Sequence, residues 1–164
     1  MRTVLTNAIV DAAIAGRKVI VFGNGGLAAE AEHFCAELMG KFGRDIYVRC
    51  IALTGPSSLV TALANDFGWE SVFKHQVSVW AVPGDVVIGM TTGGSVNVMT
   101  ACGEGCRKGA RVFYLNGATL GIQGGMAIQE AILNLCHLVA YDVKEELYAR
   151  SQPEQPVAQP VRGD

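Results

Sequence analysis

Two residues with chemically useful side chains, His33 and Glu37, lie four positions apart in a stretch with helical periodicity. This spacing places an imidazole and a carboxylate on one face of a helix, where both could bind the same divalent metal ion. An isolated pair of this kind is more often a solvated ion pair. The motif therefore indicates a metal site only in combination with further ligands.

Two further polar residues, Gln129 and His137, interrupt the last apolar stretch of the sequence. Eight residues of straight helix correspond to about 12 Å of rise and about 80° of rotation, so the two side chains do not converge easily on one ion. They could act at opposite ends of a substrate, or the site could combine residues of neighbouring subunits. A histidine in an apolar helix is also commonly a core residue with its hydrogen bonds satisfied.

Two glycine-rich loops each follow a strand-like run and precede a helical pattern. The first, residues 23–26, is GNGG, and the second, residues 91–95, is TTGGS. Backbone N–H groups and hydroxyls at a helix N-terminus bind phosphate without needing a cation. A tight turn would explain the first loop and a helix cap the second, but the two loops together favour a small phosphorylated ligand.

Neither loop carries a nucleotide-binding signature. A dinucleotide-binding fold needs an acidic residue for the ribose after the second strand, and that strand ends here in TGP at residues 54–56. The phosphate-binding motif GxxxxGK followed by Ser or Thr is also absent from the sequence. Dinucleotide and nucleoside triphosphate binding are therefore excluded.

The dipeptide Asn65-Asp66 ends a helical stretch just before Phe67-Gly68. A helix end followed by a turn explains these residue types without any function. Near the ends of the strands, the same two side chains could also bind sugar hydroxyls.

The elements that must position these groups alternate regularly. Helical patterns over residues 27–42, 57–65, 70–80, 96–108 and 125–150 follow short apolar runs that predict strands buried on both faces: Lys18–Phe22, Tyr47–Leu53, Asp85–Met90 and Arg111–Leu115. This alternation predicts an α/β fold, a doubly wound three-layer sandwich with a central parallel sheet. Right-handed crossovers would bring the carboxyl ends of the strands to one edge, where ligands bind.

The helix predicted over residues 125–150 is apolar on more than one face. Its main stripe contains Ile128, Ala131, Ile132, Leu135 and Val139, and a second face contains Leu133, Cys136 and Ala140. A helix that is apolar nearly all round is buried, so the second face is expected to meet another subunit. We expect one domain over residues 1–150 and a disordered, proline-rich tail over residues 151–164.

The composition excludes several classes of function. With 164 residues, a formal net charge of -2 and a pI near 5.9, the chain has no basic field to hold a nucleic acid. The five cysteines form no CxxC pair, which favours a reducing cytoplasm over a disulfide framework. The N-terminus reads as an amphipathic helix rather than a signal peptide, and no apolar run is long enough to span a membrane.

Taken together, these residues resemble the sugar isomerase (SIS) domain family, and within it the phosphoheptose isomerase branch. The matching stretches, which include VIVFGNGGLAAEAEHFCAELMGKF and IQEAILNLCHLV, cover about Lys18–Leu115 and residues 127–139. The order and spacing of GNGG, HxxxE, ND, the Ser/Thr loop and QxxxxxxxH make the resemblance specific. It implies a parallel α/β sandwich that is usually a homotetramer with its sites at subunit interfaces.

The resemblance also implies a role for each matching residue. A zinc ion would be held by His33, Glu37, Gln129 and His137, with Glu37 and His137 as the acid–base pair. Substrate contacts would come from Asn24, Gly25, Gly26, Asn65, Asp66 and Gln129. The phosphate would be bound by Thr91, Thr92, Gly93 and Ser95, and Lys41 lies where the family usually has a substrate-facing arginine.

The sequence departs from the family in several places. Leu27 replaces a hydroxyl residue after GNGG, TTGGS is one residue shorter than the family's STSGNS, and Met126 replaces a usual Asp or Thr. Only 13 residues separate Leu115 from Gln129, where the family fits another strand. We therefore expect a sheet that is one strand shorter, with the metal and acid–base residues retained and the phosphate contacts reduced.

The resemblance implies an aldose-ketose isomerase, which we expect to convert sedoheptulose 7-phosphate to D-glycero-D-manno-heptose 7-phosphate through an enediol. Glu37 would move a proton between C1 and C2, His137 would transfer one at oxygen, and zinc would polarise the carbonyl. Two alternatives stay open: a non-catalytic module that binds a sugar phosphate or a protein, and an isomerase for another sugar phosphate. The expected protein is a cytoplasmic homo-oligomer that binds neither nucleic acid nor membrane.

Overall fold

Two strands of continuous apolar sequence form the centre of a four-stranded parallel sheet. The computed structural model describes residues 1–152, and its strands are β1 (Val19–Gly23), β2 (Cys50–Ala52), β3 (Val86–Met90) and β4 (Arg111–Leu115). The order across the sheet is β2-β1-β3-β4, and Val19 of β1 lies opposite Val86 of β3. The prediction of an α/β fold with a central parallel sheet is confirmed.

Helices cover both faces of this sheet. They are α1 (Arg2–Ile14), α2 (Gly26–Met39), α3 (Ser57–Phe67), α4 (Val72–Trp80), α5 (Val96–Arg107), α6 (Gly117–Leu120) and α7 (Gly125–Ser151). Alternate residues of β1 enter two separate cores: Val19 and Val21 pack with residues of α1, α2 and α7, and Ile20 and Phe22 pack with residues of α3, α4 and α5. The arrangement is therefore the predicted three-layer sandwich.

Strand β2 is shorter than the predicted run Tyr47–Leu53. The N–H of Val48 donates to the carbonyl of Leu38 in α2 at 2.9 Å instead of joining the sheet. Sheet pairing of β2 therefore begins at Cys50, opposite Val19. The apolar character of this run reflects its packing against α2 as well as its pairing with β1.

Strand β4 has the predicted bounds but is not buried on both faces. Arg111 is exposed and only Leu115 is fully buried, because β4 pairs with β3 alone in the part of the chain that the structure describes. Between Leu115 and Gly125 the chain forms α6 and a turn instead of a fifth strand. The prediction of complete burial is therefore wrong for this strand, whereas the predicted loss of one strand agrees with the described sheet.

A capping box starts the short helix α6. The side chain of Asn116 accepts the N–H of Thr119 at 2.8 Å, and the hydroxyl of Thr119 accepts the N–H of Asn116 at 2.9 Å. Gly117 is required here because a Cβ would lie only 2.5 Å from the carbonyl oxygen of Ile122. The segment is thus folded back tightly and brings α7 close to the end of β4.

Helix α7 buries most of its predicted apolar stripe, including Ile128, Ile132 and Val139. Cys136 and Ala140, which the sequence predicts to face another subunit, are 2% and 0% exposed within the single chain. Helices α1 and α2 pack against α7 and cover this side. Of the predicted subunit-facing residues, only Leu133 remains exposed, at 38%.

The predicted domain limit falls one residue before the end of α7. The helix continues to Ser151, and the rest of the predicted disordered tail, from residue 153 onward, lies outside the described residues. Within residues 1–152, no helix has the length and apolarity needed to cross a membrane.

Candidate active site

Three side chains from α2 and α7 converge on one point. The Oε1 atom of Glu37 lies 3.1 Å from Nε2 of His33 and 3.1 Å from Nε2 of His137, and the two Nε2 atoms are 3.1 Å apart. His33 and Glu37 share a face of α2, as their spacing predicts, whereas His137 comes from 104 residues beyond His33. These three residues, named the metal triad below, could together hold a metal ion.

The carboxylate of Glu37 lies between two imidazoles and interacts at longer range with the ammonium of Lys144. The side chain of Glu37 is 8% exposed, whereas those of His33 and His137 are 47% and 41% exposed. Among the described residues, Oε2 of Glu37 has no hydrogen-bond partner and no lysine or arginine pairs with this carboxylate. A buried carboxylate oxygen without a partner is costly, so a metal ion at this point would stabilise the carboxylate.

The packing of α7 on α2 sets the position of His137. The ring of Phe42, which follows α2, lies nearly parallel to the His137 ring with 6.3 Å between centroids. The rings of His33 and His137 meet edge to face at 5.2 Å. Neighbouring Cys136 is buried, so the backbone next to His137 is held in the core while the imidazole faces outward.

The fourth predicted metal ligand, Gln129, lies at another place in the same chain. The side chain of Gln129 lies against the first turn of α2, at Gly26. A Cβ atom at position 26 would be only 3.1 Å from Oε1 of Gln129. His33 is seven residues further along α2, which corresponds to about 10 Å of helix. The structure therefore places Gln129 beside the first glycine-rich loop rather than with the metal triad of its own chain.

The hydroxyl of Thr91 organises the second glycine-rich loop. Thr91 is 3% exposed, and its Oγ1 accepts the N–H groups of Gly93, Gly94 and Ser95 at 3.3, 3.2 and 3.3 Å. Gly94 has φ +85°, a conformation that residues with a Cβ rarely adopt. The loop leads directly into α5, whose N-terminus is the part that can attract an anion.

The two glycine-rich loops are joined by a pair of asparagines. Nδ2 of Asn24 donates to Oδ1 of Asn97 at 2.9 Å, and Nδ2 of Asn97 donates to Oδ1 of Asn24 at 3.0 Å. Asn24 belongs to the loop after β1, and Asn97 belongs to the first turn of α5 after β3. Since β1 and β3 are neighbours, the predicted ligand-binding loops lie side by side.

Two cavities open at this edge of the sheet. A cavity of about 140 Å³ adjoins the first loop and is lined by Gly23, Asn24, Gly25, Ala28, Thr54, Val60, Trp69 and Phe73. A cavity of about 400 Å³ lies between the second loop and the segment after β4, and is lined by Thr92, Gly93, Gly94, Asn116, Gly117, Ala118, Ile122, Gln123, Gly124 and Ile128. The segment that replaces a strand therefore forms one wall of the second cavity.

Three other predicted substrate residues lie apart from these cavities. Lys41 follows α2 and is exposed. Asn65 and Asp66 are exposed at the end of α3, where Nδ2 of Asn65 donates to Oδ1 of Asp66 at 2.8 Å. Neither cavity at the sheet edge is lined by any of the three within the described chain.

The structure adds residues that the sequence analysis missed. Glu30 lies on α2 three residues before His33, and burial raises the pKa of its carboxyl group while His33 opposes the shift. Its Oε1 is buried without a partner among residues 1–152. Glu30, His33 and Glu37 are spaced so that they share one face of α2, and this spacing could have predicted that Glu30 lies near the metal triad. The second missed residue, Asn97, could not have been predicted, because the sequence shows only a polar residue in an otherwise apolar helix turn.

Comparisons of the sequence with known proteins agree on one family. The SIS domain profile matches residues 4–117. The chain is 36% identical over 159 residues to a phosphoheptose isomerase of Citrifermentans bemidjiense, covering 88% of this chain and 83% of that protein. It is 38% identical over 151 residues to a phosphoheptose isomerase of Aquifex aeolicus, covering 83% of this chain and 79% of that protein.

Solved structures give the same result. A phosphoheptose isomerase from Neisseria gonorrhoeae superposes with a TM-score of 0.78 at 28% identity, covering 88% of this chain and 85% of that chain. A phosphoheptose isomerase from Francisella tularensis superposes with a TM-score of 0.80 at 26% identity, with the same coverage of 88% and 85%.

Proposed function

This chain belongs to the SIS domain family, in its phosphoheptose isomerase branch, and we propose that it is an aldose-ketose isomerase. The substrate is sedoheptulose 7-phosphate and the product is D-glycero-D-manno-heptose 7-phosphate. The observation that carries the proposal is the metal triad, in which two imidazoles and a buried carboxylate converge next to a sheet edge with loops suited to phosphate.

The geometry of the metal triad supports zinc as the ion. Ligand atoms at about 2.0–2.1 Å from a tetrahedral zinc ion are about 3.3 Å from one another. The three mutual distances of 3.1 Å are close to this value, so His33, Glu37 and His137 would hold a zinc ion and would leave one corner of a tetrahedral site open. When bound, zinc would act as a Lewis acid that stabilises negative charge on the substrate oxygens.

The residues of the metal triad divide the proton transfers between them. Glu37 takes the proton from one of the two carbons C1 and C2 and returns it to the other, because a carboxylate suits proton abstraction next to a carbonyl. His137 transfers a proton at the adjacent oxygen. Binding of Glu37 to a cation lowers the basicity of its carboxylate, so metal ligation and base catalysis compete at this residue.

The two loops account for the phosphate end of the substrate. The N-terminus of α5, Thr92 and Gly93 bind the phosphate, and Asn24, Gly25 and Gly26 contact the sugar together with Gln129. Thr91 and Ser95 shape the same loop, and Lys41, Asn65 and Asp66 complete the proposed substrate contacts. About 10 Å of α2 separates Gly26 from His33, so the proposed sugar contacts and the metal triad lie at different positions along α2.

A homotetramer would complete the site if neighbouring chains meet at the metal triad. His33 and His137 are nearly half exposed, and Gln129 is displaced along α7 from His137. Gln129 of one subunit could therefore serve the open corner of another subunit's metal triad. The proposal includes a cytoplasmic location, in keeping with five cysteines that are all free.

The decisive experiment measures isomerisation of sedoheptulose 7-phosphate by the purified, untagged protein, together with its zinc content. Turnover of the heptose, with hexose and pentose phosphates converted more slowly, would support the proposal. Conversion of a hexose or pentose phosphate in preference to the heptose would identify a different isomerase. Zinc well below one ion per four chains after zinc addition would contradict the metal site.

A non-catalytic module that binds a sugar phosphate or a protein is the second candidate. The short second loop and the four-stranded sheet favour it, because they reduce the structure available to hold a substrate. The intact metal triad disfavours it, since binding alone needs no such group. Binding of sugar phosphates without conversion of any of the three sugar classes would decide for this candidate.

A further inference from the structure

The pair formed by Asn24 and Asn97 joins the two loops through complementary amides. Each side chain donates one hydrogen bond and accepts one, at 2.9 and 3.0 Å. Asn97 is 2% exposed although it lies in the first turn of a helix. A buried amide is costly unless it is paired, so the fold commits Asn97 to this one partner.

No other side-chain hydrogen bond links the two loops in the described part of the chain. The neighbouring strands pair up to Gly23 and Met90, and beyond this point the chains diverge toward α2 and α5. The hydroxyl of Thr91 bonds only within its own loop. The asparagine pair is thus the side-chain connection between the loop assigned to the sugar and the loop assigned to the phosphate.

The pair also holds the amide of Asn24 in place. An unpaired asparagine amide could rotate freely about χ2, whereas the two hydrogen bonds to Asn97 hold the plane and the position of the Asn24 amide. Asn24 lines the cavity of about 140 Å³, and the remaining N–H of its amide is the one that a ligand there could meet. Asn97 itself lines neither this cavity nor that of about 400 Å³.

We propose that Asn97 is a positioning residue, which holds the amide plane of Asn24 in place and fixes the separation of the sugar and phosphate loops. This inference rests on the proposed isomerase function. It assigns Asn97 to substrate binding through Asn24 and not to the chemical step, which occurs at the metal triad. Loss of the pair should therefore raise KM and leave kcat nearly unchanged.

The test uses N97D, because the introduced carboxyl group changes its hydrogen bonding with pH. In its ionised form this carboxylate would accept from Nδ2 of Asn24 but oppose its Oδ1, whereas in its protonated form it would donate to Oδ1 and restore both bonds. We expect KM to rise about tenfold at pH 8, the effect of roughly one hydrogen bond. The ratio of KM in N97D to KM in the parent should fall toward one as the pH is lowered.

N7D, which adds the same charge at an exposed position on α1, controls for net charge and should keep the parental KM at every pH. N97S adds no charge, so it separates loss of the pair from repulsion between the new carboxylate and the substrate phosphate, and it should raise KM at every pH. A KM ratio for N97D that stays near one at pH 8, or an unchanged KM in folded N97S, would overturn the proposal.

The outcome can be separated from that of the proposed function. If the parent converts none of the sugar phosphates, the isomerase proposal fails, and calorimetric titration with inorganic phosphate replaces KM as the readout. Weaker phosphate binding by the uncharged variant N97S, and by N97D at pH 8, would still support the positioning role. A phosphate affinity of N97S equal to that of the parent would overturn it.

Discussion

At the scale of single residues, Glu37 is a carboxylate that is buried although one of its oxygens has no hydrogen-bond partner among the described residues. Its other oxygen lies 3.1 Å from two imidazoles. Burial of a carboxylate with one unsatisfied oxygen opposes folding, so stability alone does not explain the position of Glu37. The proposed base catalysis and metal binding both provide a reason for this position.

Replacing Glu37 by Gln is expected to lower kcat by about 10²–10⁴, the range typical of a general acid–base group, with little change in KM. The amide keeps the shape of the side chain but cannot accept the substrate proton. Steady-state kinetics on the heptose phosphate checks this result. The control is E32Q on the same helix, because the introduced amide oxygen at position 32 can still accept a hydrogen bond from the hydroxyl of Thr54. A near-parental kcat in E37Q would show that Glu37 is not the base.

Replacing Thr92 by Val is expected to act on binding instead. The change removes one hydroxyl from the wall of the 400 Å³ cavity and leaves the metal triad intact. KM should rise by the equivalent of about 0.5–3 kcal/mol, the value of one hydrogen bond, with kcat unchanged. T61V, on the exposed side of α3, is the matched control, and a fall in kcat without a rise in KM for T92V would contradict the assignment.

At the scale of elements, a buried aspartate anchors the start of β3. Asp85 is 0% exposed and accepts hydrogen bonds from the backbone N–H groups of Lys18 and Val82 and from the Lys18 ammonium, at 3.0, 2.9 and 2.7 Å. These bonds tie the entry of β3 to the entry of β1. The two central strands, and the loops that follow them, therefore keep a common register.

Removal of this anchor should destabilise the whole fold. Asp85→Ala leaves two backbone donors and an ammonium without their acceptor, at a cost of about 3 kcal/mol in the free energy of unfolding. D11A breaks an exposed ion pair with Arg111 and should cost less than about 1 kcal/mol. Urea denaturation of both variants gives the comparison, and equal losses would refute the role given to Asp85.

A second element-scale contact makes α5 sensitive to acid. The guanidinium of Arg107 hydrogen-bonds the buried Glu104 at 3.0 Å and lowers the pKa of its carboxyl group. Because the folded-state pKa is depressed, this contribution is present above the unfolded-state pKa of about 4.3 and is lost as pH falls through the folded-state value. The difference in the free energy of unfolding between the parent and E104Q should therefore be larger at pH 7 than at pH 3.5. A difference that does not change with pH would contradict the role given to the contact between Arg107 and Glu104.

At the scale of the whole molecule, the surface leaves several large apolar side chains uncovered. Val4, Ile14, Val79, Met126 and Leu133 are between 38% and 82% exposed. Half of the residues of the chain are apolar, which is more than so small a domain can bury by itself. These observations support assembly, although the inner side of α7 is already covered within one chain.

Light scattering on the purified protein is expected to give about four times the mass of 17.3 kDa for one chain. If hydrophobic burial between subunits drives the proposed association, the tetramer should persist on dilution through the micromolar range. A single-chain mass at micromolar concentration would contradict the assembly. It would also require the metal triad to act without residues of a neighbouring subunit.

The sequence by itself determined the alternation of strands and helices, the two glycine-rich loops and the shared helix face of His33 and Glu37. These features depend on local rules, because side-chain direction within a helix follows from its period and strand burial follows from continuous apolar character. The same rules failed where neighbours mattered: β4 is half-exposed because it is an edge strand, and β2 is short because Val48 bonds to α2.

Only the tertiary structure decided which distant residues meet. It brings His137 to the pair on α2, leaves Gln129 on Gly26, and pairs Asn24 with Asn97. The relative position of two elements depends on how their side chains pack and on where hydrogen bonds between them can be satisfied, and neither is encoded in spacing along the chain. For this reason the types of the site residues were evident from the sequence, but their partners were not.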